Sequence, residues 1–134
     1  MKSVLITGAN RSIGLETAKQ LSKKGLFVYL GTRDLEKGQA VVKELNENGF
    51  DNIKAIAIDV TNVDSILAAK SIVENEQGKL DILINNAGIS GEFPQNASDT
   101  SIKEIQNVFD TNFFGVISVT QAFLELLKKS DSPR

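Results

Sequence analysis

A chain of 134 residues, 41% apolar and 24% charged, has the size and balance of one globular domain with a sizeable core. Its net charge of −2, with both signs interspersed, gives no electrostatic reason to expect nucleic acid or an anionic membrane, so a small molecule is the expected ligand. Without cysteine or histidine it can form no disulfide, thiolate nucleophile, zinc knuckle or histidine base, and no metal site is expected.

Met1-Lys2 leads straight into Ser-Val-Leu-Ile without the apolar stretch of a signal peptide, so a cytoplasmic location is expected. Short β-branched runs at Ser3 to Thr7, Leu26 to Leu30, Ile53 to Ile58 and Leu80 to Asn85 read as strands, and segments at roughly 13–24, 34–47 and 62–77 read as helices between them. The strands are apolar on both faces, which predicts a parallel sheet covered by helices on each side. In the first helix Ile13, Gly14, Thr17, Ala18 and Leu21 share one arc and are expected to face the core. Asp34 and Thr61 are expected to cap the next two helices. A loop from Gly88 to Ser98 follows the fourth strand, and a helical pattern then runs from about Ser101 to Lys129, broken or kinked near Thr111-Asn112. Its stretch from Phe113 to Leu127 is apolar around much of its circumference and needs cover on more than one side. Lys128 to Arg134 turn polar and carry a proline, ending the helix without supplying another strand.

The strongest chemical signal is Thr7-Gly8-Ala9-Asn10-Arg11-Ser12-Ile13-Gly14, at the junction of the first strand and first helix. Small residues there let the backbone approach a pyrophosphate, while N–H groups of the helix's first turn face the phosphates. A capped tight turn is the plainer reading, but strand, turn and helix stand in the order a dinucleotide site requires. The segment resembles the T-G-x-x-x-G-x-G turn of the short-chain dehydrogenase/reductase family, with Ser12 in place of the middle glycine. If that position needs a positive φ, serine costs on the order of 1 kcal/mol there, which its hydroxyl could partly offset on a phosphate oxygen. The resemblance extends to Asp59-Val60, to Asn85-Asn86-Ala87-Gly88 and to Thr111-Asn112-Phe113-Phe114-Gly115, and so covers the whole chain. Taken singly, these clusters could be mere turns. The resemblance implies a Rossmann-like, doubly wound three-layer α/β/α sheet in the order 3-2-1-4. It implies cofactor contacts at Gly8, Asn10, Arg11, Ser12, Ile13 and Gly14. Asp59 would then bond the adenine amino group, Val60 would line the adenine pocket, and Asn86, Ala87 and Gly88 would pass beside the ribose and nicotinamide.

An NAD-specific domain carries an acid at the end of the second strand, where it bonds the ribose 2′-hydroxyl and repels a 2′-phosphate. Asp34, about 20 residues past Gly14, is a candidate. The strand Phe27-Val28-Tyr29-Leu30-Gly31, however, puts Thr32 at that position and leaves Asp34 to cap a helix. Arg33 follows Thr32 and Arg11 lies in the glycine turn, so two guanidinium groups converge where a 2′-phosphate would sit. In the family, basic residues at these positions go with NADP. The sequence is most similar to the carbonyl reductases of that family, which implies hydride transfer between NADPH and a carbonyl or alcohol.

The resemblance also defines what is missing. The family uses a tyrosine as general acid, a lysine four residues later, a serine and an asparagine. Asn112 matches the asparagine, whose plainer reading is a kink residue bonding a backbone group. The only tyrosine, Tyr29, is followed at four residues by Arg33 and belongs to a core strand. Ser130 and Ser132 precede the place where the catalytic serine would appear. Residues 1–134 therefore read as the NADP-binding portion of a longer oxidoreductase, inactive alone, truncated after the fourth strand and its long helix. The full enzyme would be a homo-oligomer. The alternatives are a non-catalytic NADP-binding sensor or interaction module and a Rossmann-like methyltransferase, the latter disfavoured by Thr32 and by Asn85 to Gly88.

Overall fold

The computed structural model describes residues 1–134. Four short parallel strands, β1 (Ser3–Ile6), β2 (Phe27–Thr32), β3 (Ile53–Ala57) and β4 (Ile82–Ile84), form one sheet in the order β3-β2-β1-β4. Between them run α1 (Ser12–Lys23), α2 (Leu35–Glu47) and α3 (Val63–Gln77), followed by α4 (Ile102–Phe109) and α5 (Gly115–Lys128). Because side chains alternate along a strand, Val4, Ile6, Val28 and Leu30 pack on one face with Ala18 of α1 and Val42 of α2. Leu5 and Tyr29 point the other way, into a core closed by Ile66 and Val73 of α3 and by Val119 and Phe123 of α5. That two-sided burial is why the strands carry no polar alternation. No helix is long and apolar enough to cross a membrane.

The boundaries follow the apolar runs with instructive differences. β2 extends past Leu30 to Thr32, pairing Gly31 with Ile56 and Thr32 with Ala57, because β3 runs alongside it to Ala57. The fourth strand keeps only Ile82 to Ile84 of the expected Leu80 to Asn85, since only these pair with β1. Asp34 caps α2, accepting from the Lys37 N–H at 3.2 Å. Thr61 does not cap α3. Asn62 does, accepting from the Ser65 N–H at 3.0 Å, because Thr61 is held in a turn by its donations to Asp59 Oδ1. Ile13 is not in the core either: it is 77% exposed, because the first turn of α1 projects past the sheet. The expected break near Thr111-Asn112 is a π-helical turn over Asp110–Phe114 that accommodates an extra residue without ending the helix. Of the apolar stretch after it, Phe123, Val119 and Leu126 are fully buried, while Phe113, Phe114, Ile117 and Leu124 are exposed.

The residues after α5 return to the sheet. Arg134 donates its N–H to the Asp81 carbonyl (3.0 Å) and accepts from the Leu83 N–H (2.9 Å), one rung of parallel pairing on the free side of β4. The reading that Lys128 to Arg134 end the helix without supplying another strand did not foresee this rung.

Candidate dinucleotide-binding site

A cleft of about 590 Å³ lies across the C-terminal ends of the four strands. Its first wall is the turn between β1 and α1. Gly8 adopts φ +60°, and a Cβ there would lie 2.9 Å from Ala87 Cα, so only glycine allows the β4 end to come this close. At Gly14 a Cβ would meet Asn86 Nδ2 at 2.5 Å and Ala9 Cα at 2.8 Å. Arg11 is the N-cap of α1, in extended backbone and with no side-chain cap bond, and Ser12 follows at φ 52°, the only non-glycine residue with positive φ. The conditional cost assigned to Ser12 therefore applies, on the order of 1 kcal/mol. The first α-helical bond of α1 runs from the Leu15 N–H to the Arg11 carbonyl (3.2 Å), which leaves the N–H groups of Ser12, Ile13 and Gly14 without intrahelical acceptors.

The second wall is the end of β2. Thr32 is buried, and its hydroxyl donates to the Asp34 carbonyl (3.1 Å) and accepts from the Asp34 N–H (3.3 Å). Asp34 lines the cleft, but its carboxylate is engaged by α2, with Oδ1 on the Lys37 N–H and Oδ2 3.9 Å from Lys37 Nζ. Arg11 and Arg33 are exposed on the cleft, and neither has a carboxylate within 4.0 Å. At the β3 end, Asp59 Oδ1 accepts from the Thr61 N–H (2.9 Å) and hydroxyl (2.7 Å), while its own N–H donates to Ser65 Oγ (2.8 Å). Val60 lines the cleft while packing into the core, 7% exposed.

At the β4 end the asparagines work inward. Asn86 Nδ2 donates to the carbonyls of Thr7 (3.0 Å) and Gly8 (2.9 Å), and Thr7 Oγ1 accepts from the N–H groups of Asn86 and Ala87, both at 3.0 Å. These bonds join β1 to β4 at the floor of the cleft. Asn112, in the π turn, accepts from the Ile89 N–H (2.8 Å) and donates to the Ile89 carbonyl (2.7 Å), so it holds a wall residue without lining the cleft itself. The π turn places Asn112 on the backbone of Ile89, as its plainer reading, a kink residue bonding a backbone group, expected.

Gly8, Asn10, Arg11, Ser12, Ile13, Gly14, Arg33, Asp59, Val60, Asn86, Ala87 and Gly88 thus all meet on one cleft. Sequence reasoning missed Lys37, Thr61, Ile89 and Thr111 on its walls. Lys37 stands in the first turn of α2, directly after the β2 end that carries Arg33, and that position brings it onto the same cleft. Tyr29 lies elsewhere, fully buried, donating to Glu76 at 2.8 Å; burial and then that carboxylate push its pKa above the ordinary phenol range, so it stays neutral.

Residues 2–134 match the short chain dehydrogenase family profile. Over 128 residues, 95% of the chain and 50% of the relative, the sequence is 43% identical to the short-chain dehydrogenase anuI of Penicillium roqueforti. The fold superposes with TM-score 0.85 at 34% identity on actinorhodin polyketide ketoreductase with NADPH, covering 93% of this chain and 47% of that one. It superposes equally well, with TM-score 0.85 at 34% identity, on a 3-ketoacyl-(acyl-carrier-protein) reductase from Brucella melitensis complexed with NADH, covering 96% of this chain and 50% of that one. The chain spans about half the length of the curated relatives it matches.

Proposed function

The chain belongs to the short-chain dehydrogenase family, and on that premise we propose that residues 1–134 are the NADP-binding part of an oxidoreductase acting on a carbonyl or alcohol. The observation that carries the NADP reading is the charge at the end of β2. Thr32 stands where an acid would bond a ribose 2′-hydroxyl, Asp34 is engaged in capping α2, and Arg11, Arg33 and Lys37 face the cleft around it. Guanidinium groups without carboxylate partners suit a phosphate, which a nearby free acid would repel. The two superposed reductases carry NADPH and NADH respectively, so the family resemblance alone does not choose between them.

The residues present fit a dinucleotide. Ser12, Ile13 and Gly14 offer backbone N–H groups to a pyrophosphate beside the close-approach glycines. Asp59 accepts from Thr61 through Oδ1 and would offer Oδ2 to an adenine amino group, and Val60 gives the same cleft an apolar surface. Asn112 positions Ile89, and through it the wall beside which the nicotinamide would lie. When bound, the nicotinamide supplies or accepts the hydride. The sequence contains no Tyr-x-x-x-Lys, and we assign the acid–base step to residues outside 1–134. The names of the superposed ketoreductases support a carbonyl as the group reduced.

Calorimetric titration of the full-length polypeptide with NADPH and with NADH tests this directly. The expected result is NADPH binding at least about tenfold tighter, since a charge-assisted phosphate contact contributes roughly 1.5–3 kcal/mol. Equal affinities would remove the NADP assignment, and no binding of either would remove the dinucleotide site.

A further inference from the structure

At the end of the sheet remote from the cleft, a buried carboxylate gathers three parts of the chain. Asp81 is 1% exposed. Its Oδ2 accepts from the Ser3 N–H at the start of β1 (2.9 Å), and its Oδ1 accepts from the hydroxyl of Ser130, just after α5 (2.6 Å). Lys79 Nζ lies 3.2 Å from Oδ1. Ser130 is itself buried, and its Oγ accepts from the Ser132 N–H at 3.3 Å. The backbone of the same aspartate then takes Arg134, whose N–H meets the Asp81 carbonyl at 3.0 Å while its own carbonyl accepts from the Leu83 N–H at 2.9 Å.

We infer that the Asp81–Ser130 bond is a register latch: it fixes residues 130–134 so that the chain leaving α5 joins the free side of β4 with Arg134 opposite Ile82, and in no other alignment. The pairing needs such a device. Apart from that rung, the free edge of β4 presents unpaired backbone groups, and parallel pairing shifted by two residues would keep the same faces while moving the strand by roughly 6.6 Å. A slip of that size breaks the Ser130 bond and leaves a carboxylate oxygen in the interior with Lys79 alone. In a polypeptide that continues past Arg134, the register decides which side chain arrives level with the cleft.

The chemistry of the site requires an acid and a hydroxyl. Ser3 N–H, Ser130 O–H and Lys79 are all donors, so the residue among them must only accept. An amide at position 81 can turn its oxygen to Ser3, because a backbone N–H cannot reverse. Its NH2 then takes the place of Oδ1, so the Ser130 proton loses its acceptor and a donor is set against the Lys79 ammonium. Asp81→Asn therefore loosens the Ser130 side of the cluster and spares β1.

This inference does not depend on the dinucleotide reading, and its test separates the two. Site-resolved amide exchange is followed in the full-length polypeptide and in its Ser130→Ala, Ser130→Thr and Asp81→Asn variants, with NADPH binding as control. The latch predicts that Ser130→Ala and Asp81→Asn speed exchange at Leu83 and Arg134 by roughly tenfold or more, the loss of a hydrogen bond to a charged group. Amides of Leu5 and Tyr29, inside β1 and β2, stay at parental rates, Ser130→Thr behaves as the parent, and the NADPH affinity does not move. Unchanged exchange at Leu83 in Ser130→Ala would overturn the latch, as would equal acceleration across all four strands, which describes a general stabiliser. If Asp81→Asn does not fold, the Ser130 pair decides alone.

Discussion

Where β1 and β4 begin, a carboxylate is buried and every donor around it belongs to the protein; where the strands end, Arg11 and Arg33 stand in the open with no carboxylate within 4.0 Å. The same sheet thus closes its charges at one end and leaves them uncompensated at the other. Burial works against ionising Asp81, yet the Ser130 and Ser3 hydrogen bonds and the Lys79 ammonium outweigh it and hold the carboxyl below its ordinary range. A charge satisfied internally serves the fold. A cationic pair left open beside backbone N–H groups without acceptors is what the proposed 2′-phosphate would pair with.

The largest expected effect breaks the cleft end outright. Gly14→Val puts a branched side chain where even a Cβ would sit 2.5 Å from Asn86 Nδ2, so α1 must move away from the β1–β4 seam. Dinucleotide binding should vanish in calorimetry, with a stability loss at or above the roughly 1–3 kcal/mol of ordinary overpacking. Tight binding by this variant would place the ligand elsewhere.

Asp81→Ala probes the opposite end and should be almost its mirror image. Losing the hydrogen bonds of a buried carboxylate should cost about 3 kcal/mol in chemical denaturation, while NADPH affinity stays at the parental value. Because the folded carboxyl titrates below its unfolded counterpart, its stabilisation is complete above the ordinary carboxylate range and is lost as the pH falls through the folded value. The variant should therefore show a flatter acid limb in a plot of stability against pH, and an unaltered limb would deny Asp81 that part.

The smallest effect concerns Ser12 alone. Its φ of 52° is comfortable for glycine and strained for serine, so Ser12→Gly should raise stability by about 1 kcal/mol, or about 4 °C in Tm. A lower Tm would show that the serine side chain stabilises the turn.

The contrast between the two ends was only half legible in the sequence. The strand runs and the order of motifs carried the sheet and the cleft, because a parallel sheet covered on both faces needs unbroken apolar strands and its ligands collect at their C-terminal ends. The cap of α3 was misplaced by one residue: Thr61 and the intrinsically better cap Asn62 adjoin, and the turn built on Asp59 takes the first. Ile13 fitted the apolar arc of α1, yet at the first turn that arc runs out beyond the sheet. Lys37 escaped notice because a lysine in a first helical turn reads as a solvated surface charge. The Asp81 cluster was invisible for a different reason. Ser130 lies 49 residues away and Ser3 lies 78, and no local pattern joins residues that meet only once β4 and the end of α5 are in place.

The central claim, that the open charges at the cleft await a 2′-phosphate, is tested most directly by the NADPH-to-NADH affinity ratio of the Arg11→Ala/Arg33→Ala double variant. The account predicts that the ratio collapses toward one, through a loss of several kcal/mol for NADPH at roughly 1.5–3 kcal/mol per arginine, while NADH binding changes little. A double variant that keeps the parental preference would contradict it.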